Sequence, residues 1–522
     1  PSMNVGQFLT KAASSFPTNP TIVHGGRNWS YAEFNSRTSQ LCHALRELGL
    51  EKGDNLAVLM TNCGPMLETM FAGFRLGCGV VPINFRLHPN EFAYIIDHSQ
   101  SRVVVTSPEF NEPLRSVADQ MPGVDRVITT GDATGEALDY ETLLENQPDS
   151  CPDAAVDPDD VAWLFYTSGT TGRPKGAMLT HRNLEAMTTG FFDDMCPASD
   201  QPEATLHAAP LSHGSGLYAL PNVAQAAAHV IPSTTSFDPV HIFECIQQHR
   251  VTNIFVAPTM LKRLVEHPDI SRFDLGSLKS VIYGGAPMLV EDLLRALDRL
   301  GPCLVQLYGQ GESPMTITYL PHSDHVCDGD DRQQRRLGSA GIARTGVEVQ
   351  IVDEDDRRLD TGEVGEIITR SDLVMKGYWR DPEASEKSLR GGWLHTGDVG
   401  YLDDNGFLFL MDRSHDMIIS GGENIYPREI EEVLVRHPAV REVAVIGVPD
   451  QEWGEAVKAV VSTVDGAEVS EHELIDFCRD HVASYKKPRS VDFLDELPRN
   501  NYGKIVKREL REPYGQERER RV

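Results

Sequence analysis

The chain has 522 residues, 48 of them Lys or Arg against 77 Asp or Glu, which gives a formal charge of −29. Its 40% hydrophobic and 24% charged residues describe a folded globule, and at ~150 residues per domain the length fits three similar domains or a large one with a small one. The acidic excess excludes a broad nucleic-acid or anionic-membrane surface, because both polyanions would be repelled, yet it leaves room for a small anion held by a local basic cluster.

In chain order, TSQLCHALRELGL reads as an amphipathic helix and NLAVLM as a buried strand after a turn at Lys52-Gly53-Asp54. A further helix and the strands GVVPI, RVVVTS and DRVITT follow, and strands alternating with helices imply a parallel α/β sheet. Residues 146–160, NQPDSCPDAAVDPDD, form a Pro/Asp-rich break before a second α/β stretch with NIFVAP and SVIYGG as strands. From about residue 340 the chain turns β-rich, with EVQIVDEDD, EVGEIITR and GFLFLMD between Gly-Asp turns. After Asp412 a small α+β unit is expected, with helices at REIEEVLVRHPAV and SEHELIDFCRDHV and strands at VREVAVIGVPD and AVKAVVS. The fold class is therefore α/β. It comprises an N-terminal domain, residues 1–412, of two α/β sheet subdomains plus a β-rich one, and a small α+β cap, residues 413–522.

Nine scattered cysteines without a C-x-x-C pair point to a reduced, cytoplasmic protein whose thiols mostly serve as small core residues, and away from a structural zinc site. The N-terminal segment lacks the apolar core of a signal peptide. Ala204 to Phe237 contains no Asp, Glu, Lys or Arg and is long enough to span a bilayer, but Pro210, Pro221, Pro232 and its histidines make it a buried segment instead. No integral membrane segment is expected.

The densest chemical signal is FYTSGTTGRPKGAMLTHRNL, residues 165–184. A strand from Ala162 to Tyr166 runs into Thr167-Ser168-Gly169-Thr170-Thr171-Gly172, followed by Arg173, Pro174 and Lys175. The glycines let backbone N–H groups turn towards an anion, the hydroxyls add donors, and Lys175 adds a fixed charge. This is phosphate-cradling chemistry without being a Walker loop, because Arg-Pro separates Gly172 from Lys175 and Gly176 follows the lysine. Glu312 follows a Gly-rich turn after a strand, where a carboxylate suits Mg2+ held against phosphate oxygens.

This loop resembles the phosphate loop of the adenylate-forming superfamily, which holds acyl- and aryl-CoA synthetases, firefly luciferase and peptide-synthetase adenylation domains. The likeness covers most of the chain: WSYAEFNSRTSQLCHAL, APLSHGSG at 209–216, YGGAP at 283–287, LYGQGES at 307–313 and GYWRDPEAS at 377–385. It continues through GWLHTGD at 392–398, DRSHDMIISGGENIYPREIE at 412–431 and PRNNYGKIVKREL at 498–510. The resemblance implies a two-step ligase acting on a small carboxylic acid, ATP with Mg2+, and CoA. The carboxylate attacks the α-phosphate to give an acyl-adenylate and pyrophosphate, and a thiol then displaces AMP to give a thioester.

By the same resemblance, Tyr308 stacks on adenine beside Gly309, with Gly284, Gly285, Ala286 and Pro287 as the opposite wall. Asp398 and Arg413 take the ribose, and Lys504 bridges the attacking carboxylate and the α-phosphate. His213 lies between the phosphate site and the acyl pocket, which Gly214, Ser215 and Tyr218 line. Arg86, Lys486 and Lys487 are candidates for CoA phosphates, and Gly421, Gly422 and Glu423 resemble the loop that meets the pantetheine arm after the cap rotates. His415 stands at the hinge, where the family commonly has Asp or Lys, and Gly311 replaces the family's usual Thr, which removes one hydroxyl contact to phosphate.

An apolar, uncharged run after His213 suits a hydrophobic acid, so a medium- or long-chain fatty acid stands ahead of a benzoate- or cinnamate-type acid. A luciferase-like oxygenase and a nucleotide-binding relative without chemistry are the other readings. A homodimer is carried as an expectation.

Overall fold

Strands buried on both faces need cover on both sides, and this is how the chain begins. We describe a computed structural model covering residues 3–168, 173–285, 288, 290–413, 416–425, 427–498 and 507–515. Among the described residues there are four sheets. The first orders its seven strands as Leu138–Asp139, Arg126–Thr129, Ser101–Thr106, Asn55–Leu59, Gly79–Pro82, Val161–Ser168 and Pro174–Thr180. Its neighbours are parallel except the last pair, an antiparallel hairpin.

The second sheet has nine strands, in which Ala204–Leu206, Asn253–Val256, Ser280–Gly284 and Leu304–Gln310 are parallel neighbours and Ser313–Leu320 returns antiparallel. Its far edge departs from the sequence-based division. The hairpin Pro20–His24 and Arg27–Ser30 joins this sheet by pairing Ile22 with His229, so the first 150 residues supply two sheets. The helix expected at TSQLCHALRELGL also starts earlier, at Tyr31, because the Ser30 hydroxyl caps it by accepting from the Glu33 N–H at 3.1 Å.

Residues 348–413 form the expected β-rich part, an antiparallel sheet of Glu348–Val352, Gly365–Arg370, Leu394–Leu402 and Leu408–Arg413. The small C-terminal domain centres on the long antiparallel pair Val440–Asp450 and Gly454–Thr463. Helices Pro427–Leu434 and Glu471–Arg479 pack on that pair through Ile430, Leu434, Leu474 and Cys478.

The uncharged stretch is interior. Gly214–Ala224 is a helix buried from Gly214 to Val223, and no helix among the described residues is long and apolar enough to cross a membrane. Two of its glycines answer to close approach. A Cβ on Gly214 would stand 2.0 Å from Met315 Cε and 2.7 Å from Phe255 Cε1, and one on Gly216 would stand 1.9 Å from the Leu211 carbonyl oxygen. Seven of the nine cysteines are buried and none is bridged.

Candidate active site

The sheets and the C-terminal domain enclose a cavity of about 1260 Å³, lined by Thr167, Lys175, His213, Gly285, Glu312 and Asp398 among others. One end of it is the Val161–Ser168/Pro174–Thr180 hairpin, where Thr167 pairs with Lys175 across the ladder. Pro174 is tolerated because it opens its strand. The loop residues Gly169, Thr170, Thr171 and Gly172 lie outside the described residues, as do Ala286, Pro287, His415 and Lys504; so do the side chains of Ser168 and Arg413.

Beside the hairpin runs the Lys376–Trp379 segment. The Met178 N–H donates to the Gly377 carbonyl at 2.8 Å, and the Trp379 N–H donates to the Gly176 carbonyl at 2.8 Å. That clip sets the Tyr378 ring 5.5 Å under the Lys175 ammonium and its hydroxyl 2.7 Å from Glu312 Oε1, to which it donates. The Thr167 hydroxyl reaches the same oxygen at 3.4 Å. A carboxylate flanked by two hydroxyls is an all-oxygen, hard donor set, and it fits Mg2+.

The glycine at 311 has a structural cause. A Cβ there would lie 2.5 Å from the Thr167 methyl and 2.8 Å from the Phe165 ring. The position takes glycine because the hairpin occupies the space a threonine would need.

Asp398 is 6% exposed and held from several sides. Its Oδ2 accepts from the Tyr308 hydroxyl at 2.5 Å and from Gln310 Nε2 at 3.1 Å, and Gln310 also donates to the Thr396 carbonyl at 2.6 Å. Glu366 fixes the turn behind it by accepting from the Gly397 N–H at 3.2 Å, with His395 Nδ1 2.7 Å away. In the antiparallel ladder Asp398 faces the Arg413 backbone.

Several expectations need correction. Tyr308 is 2% exposed, packed among Ile317, Ile351 and Leu408, with its hydroxyl donating to Asp398. Ser215 is buried with its hydroxyl 2.6 Å from His207 Nδ1, and Tyr218 packs between Phe191 and Phe255, so neither lines the cavity. His213, Gly214 and Gly284 do line it, and the His213 ring stacks on Phe165 at 5.3 Å with Nδ1 2.8 Å from the Ser212 carbonyl oxygen. Lys486, expected at a phosphate, is buried between two carboxylates, 2.7 Å from Glu91 and 2.8 Å from Glu429. Arg86 lies 2.9 Å from Glu423 beside the Gly421-Gly422 turn. Lys487 Nζ donates to the Ser484 hydroxyl at 2.6 Å.

Sequence reasoning missed three residues. Gln310 and Tyr378 stand inside quoted segments, and their polar side chains next to Gly309 and Gly377 were the available signal. Arg263 gave none: it joins the cavity wall from helix Pro258–Glu266, its guanidinium 4.9 Å over the Phe237 ring. The run after His213 is uncharged, yet the cavity it borders has Arg263 in its lining.

Two family profiles match the chain, the AMP-binding enzyme over residues 9–379 and the AMP-binding enzyme C-terminal domain over residues 429–504. A feruloyl-CoA synthase of Amycolatopsis sp is 39% identical over 516 residues, covering 98% of this chain and 100% of the relative. The long-chain-fatty-acid–CoA ligase FadD13 of Mycobacterium tuberculosis is 34% identical and covers 98% of both chains. Among solved structures, the amide bond synthetase McbA from Marinactinospora thermotolerans superposes with a TM-score of 0.89 at 33% identity, over 98% of this chain and 100% of that one. The chain belongs to the AMP-binding enzyme family, as an AMP-forming acid–thiol ligase that works with ATP, Mg2+ and CoA.

Proposed function

We propose that the acid is an aromatic one carrying polar ring substituents, of the arylpropenoate type, and that a fatty acid is the second reading. The observation carrying this is the arm of the cavity beyond His213. Leu217, Phe255 and Met260 line the cavity with apolar side chains, while His24, Ser233 and Arg263 add polar groups to the same lining. An alkyl chain satisfies the first set and leaves the second facing carbon; a hydroxylated or methoxylated ring meets both. The feruloyl-CoA synthase likeness supports the same order, reversing the one suggested by the uncharged run alone. FadD13 keeps the fatty acid in play.

In this reading Lys175 and the Thr167–Gly172 loop orient the triphosphate, and Asp398 takes the ribose hydroxyls. Glu312 holds the Mg2+, which neutralises phosphate charge when bound. Lys504 balances charge as the carboxylate oxygen bonds to the α-phosphorus and pyrophosphate leaves. The C-terminal domain then turns about His415, and the CoA sulfur attacks the carbonyl carbon, releasing AMP.

The test is ATP–pyrophosphate exchange and thioester formation across ferulate, cinnamate, benzoate, decanoate and palmitate. Ferulate or a close analogue is expected to give the highest kcat/KM. A tenfold advantage for decanoate or palmitate would reverse the assignment. Acyl transfer to an added amine in preference to CoA would place the chain with the amide bond synthetase.

A further inference from the structure

One short stretch of the large domain, residues 84–91, meets the small domain through polar groups. Asn84 Nδ2 donates to the Tyr485 hydroxyl at 3.5 Å, and Arg86 pairs with Glu423 at 2.9 Å. Glu91, in the first turn of helix Pro89–His98, does more. Its Oε1 accepts from its own cap residue, the His88 N–H, at 3.1 Å, and from the Ala483 N–H of the small domain at 2.7 Å. Its Oε2 takes the Lys486 ammonium at 2.7 Å. That ammonium is 2% exposed and also donates to Glu429 of the small domain at 2.8 Å.

The charges are unequal across the two sides. Within the small domain, Lys486 donates to Glu429 Oε1; Glu91 comes from outside and shares the same cation. Burial pushes the Glu429 carboxyl up to about 7, with Glu91 adding to that against the pull of Lys486. Burial works against the Lys486 charge, but Tyr485, Glu91 and Glu429 together keep its pKa raised. A buried ion cluster of this kind adds little net stability over apolar packing, but it is severely penalised when one partner is displaced. It therefore selects geometry: the cluster is complete only with the two domains placed as they are here, with the Gly421–Glu423 turn in the cavity wall.

We propose that Glu91 and Lys486 are positioning residues for the thioester step: they hold the small domain in the pose that brings the Gly421–Glu423 turn to the cavity, and adenylate formation does not use them. This rests on the two-step reading above. It replaces a phosphate-binding role for Lys486 with one that a carboxylate partner, which repels phosphate, must share.

Glu91→Gln keeps the size and the Ala483 acceptor while removing the charge; Glu91→Ala removes both. With an accepted acid, both variants should leave ATP–pyrophosphate exchange within about twofold of wild type and slow thioester formation from preformed acyl-adenylate about tenfold, Glu91→Ala the more. Lys486→Met should lose thioester formation and Lys486→Arg regain part of it. Hydrogen–deuterium exchange at the peptide containing Ala483 should speed up in Glu91→Ala, a readout that needs no substrate. Equal losses in both half-reactions, or full-rate thioester formation in Glu91→Ala, overturns the proposal. If no acid supports exchange in wild type, the two-step reading fails by itself, and unchanged protection at Ala483 then separately removes the latch.

Discussion

The wall proposed for the nucleotide and the arm proposed for the acid share one cavity but are held by different forces. At the nucleotide wall, polar side chains fix one another: Tyr308, Gln310 and Asp398 form one hydrogen-bonded group, and Thr167, Tyr378 and Glu312 form another. The acyl arm is set by apolar packing of elements far apart in sequence, with helix Gly214–Ala224 pressed against Phe255 and Met315. Directional bonds tolerate almost no displacement, while packed apolar walls accept volume-conserving change. One end of the cavity can therefore keep its chemistry while the other is free to vary the acid.

The largest effect should come from the nucleotide side. Lys504→Ala is expected to slow adenylate formation by about 100-fold or more, the scale of removing a charge aimed at the transition state. It should spare thioester formation from preformed acyl-adenylate. Equal loss of both half-reactions would take Lys504 out of the first step.

Gly311→Thr tests whether the wall is as intolerant as its geometry says. The new Cβ would fall 2.5 Å from the Thr167 methyl, and overpacking of this kind costs about 1–3 kcal/mol. Thermal unfolding should register that cost, and ATP affinity should drop. Adding Thr167→Ser removes the methyl while keeping the hydroxyl that reaches Glu312, so the double variant should recover part of the loss. A single variant as active as wild type would mean that Gly311 marks no constraint.

These cases show what could be read from the sequence and why. Lys175, Glu312 and Asp398, each singled out in a short segment whose turn and polar residues are contiguous, do line one cavity. The α/β alternation was legible because its strands are wholly buried runs. Nothing local to Tyr308 says that its hydroxyl finds Asp398 ninety residues on. Lys486 looked like an exposed cation because its two carboxylates, Glu91 and Glu429, are remote in sequence. The crossover of Pro20–His24 to the second sheet likewise depends on its partner at His229. Long-range pairing carried all of these, and periodicity does not report it.

On the acyl side, His207 offers a probe of the packed wall. It is 1% exposed, stacked on His229 with 2.8 Å between ring nitrogens, and burial lowers its pKa to about 3. The unfolded chain binds a proton near pH 6.5 and the folded one does not, so stability should fall with acidification between pH 6.5 and 3. The slope is about 1.4 kcal/mol per pH unit for this group once the unfolded histidine is charged. Urea unfolding at pH 7 and pH 5 should show the loss, and His207→Gln should flatten the difference while lowering stability at both. An unchanged difference in that variant would assign the acid sensitivity elsewhere, with His229, lowered well below the usual histidine value by burial, first in line and His181 and His325, both lowered to about 4 by burial, after it.

The smallest effect is expected at Arg263, where the two ends of the cavity should separate most cleanly. The guanidinium lies over Phe237 and donates to its carbonyl at 3.3 Å on an exposed helix face, so its loss should cost little stability. If the arm recognises a polar ring substituent, Arg263→Met should lower kcat/KM for ferulate by about threefold to tenfold, the worth of one partly exposed hydrogen bond. It should leave decanoate unchanged or improved, and the KM for ATP should not move, because the polar wall that sets it does not include this residue. A parallel shift in ATP affinity would show that the two walls are coupled. Equal losses for ferulate and decanoate would mean that Arg263 shapes the arm without reading the ring.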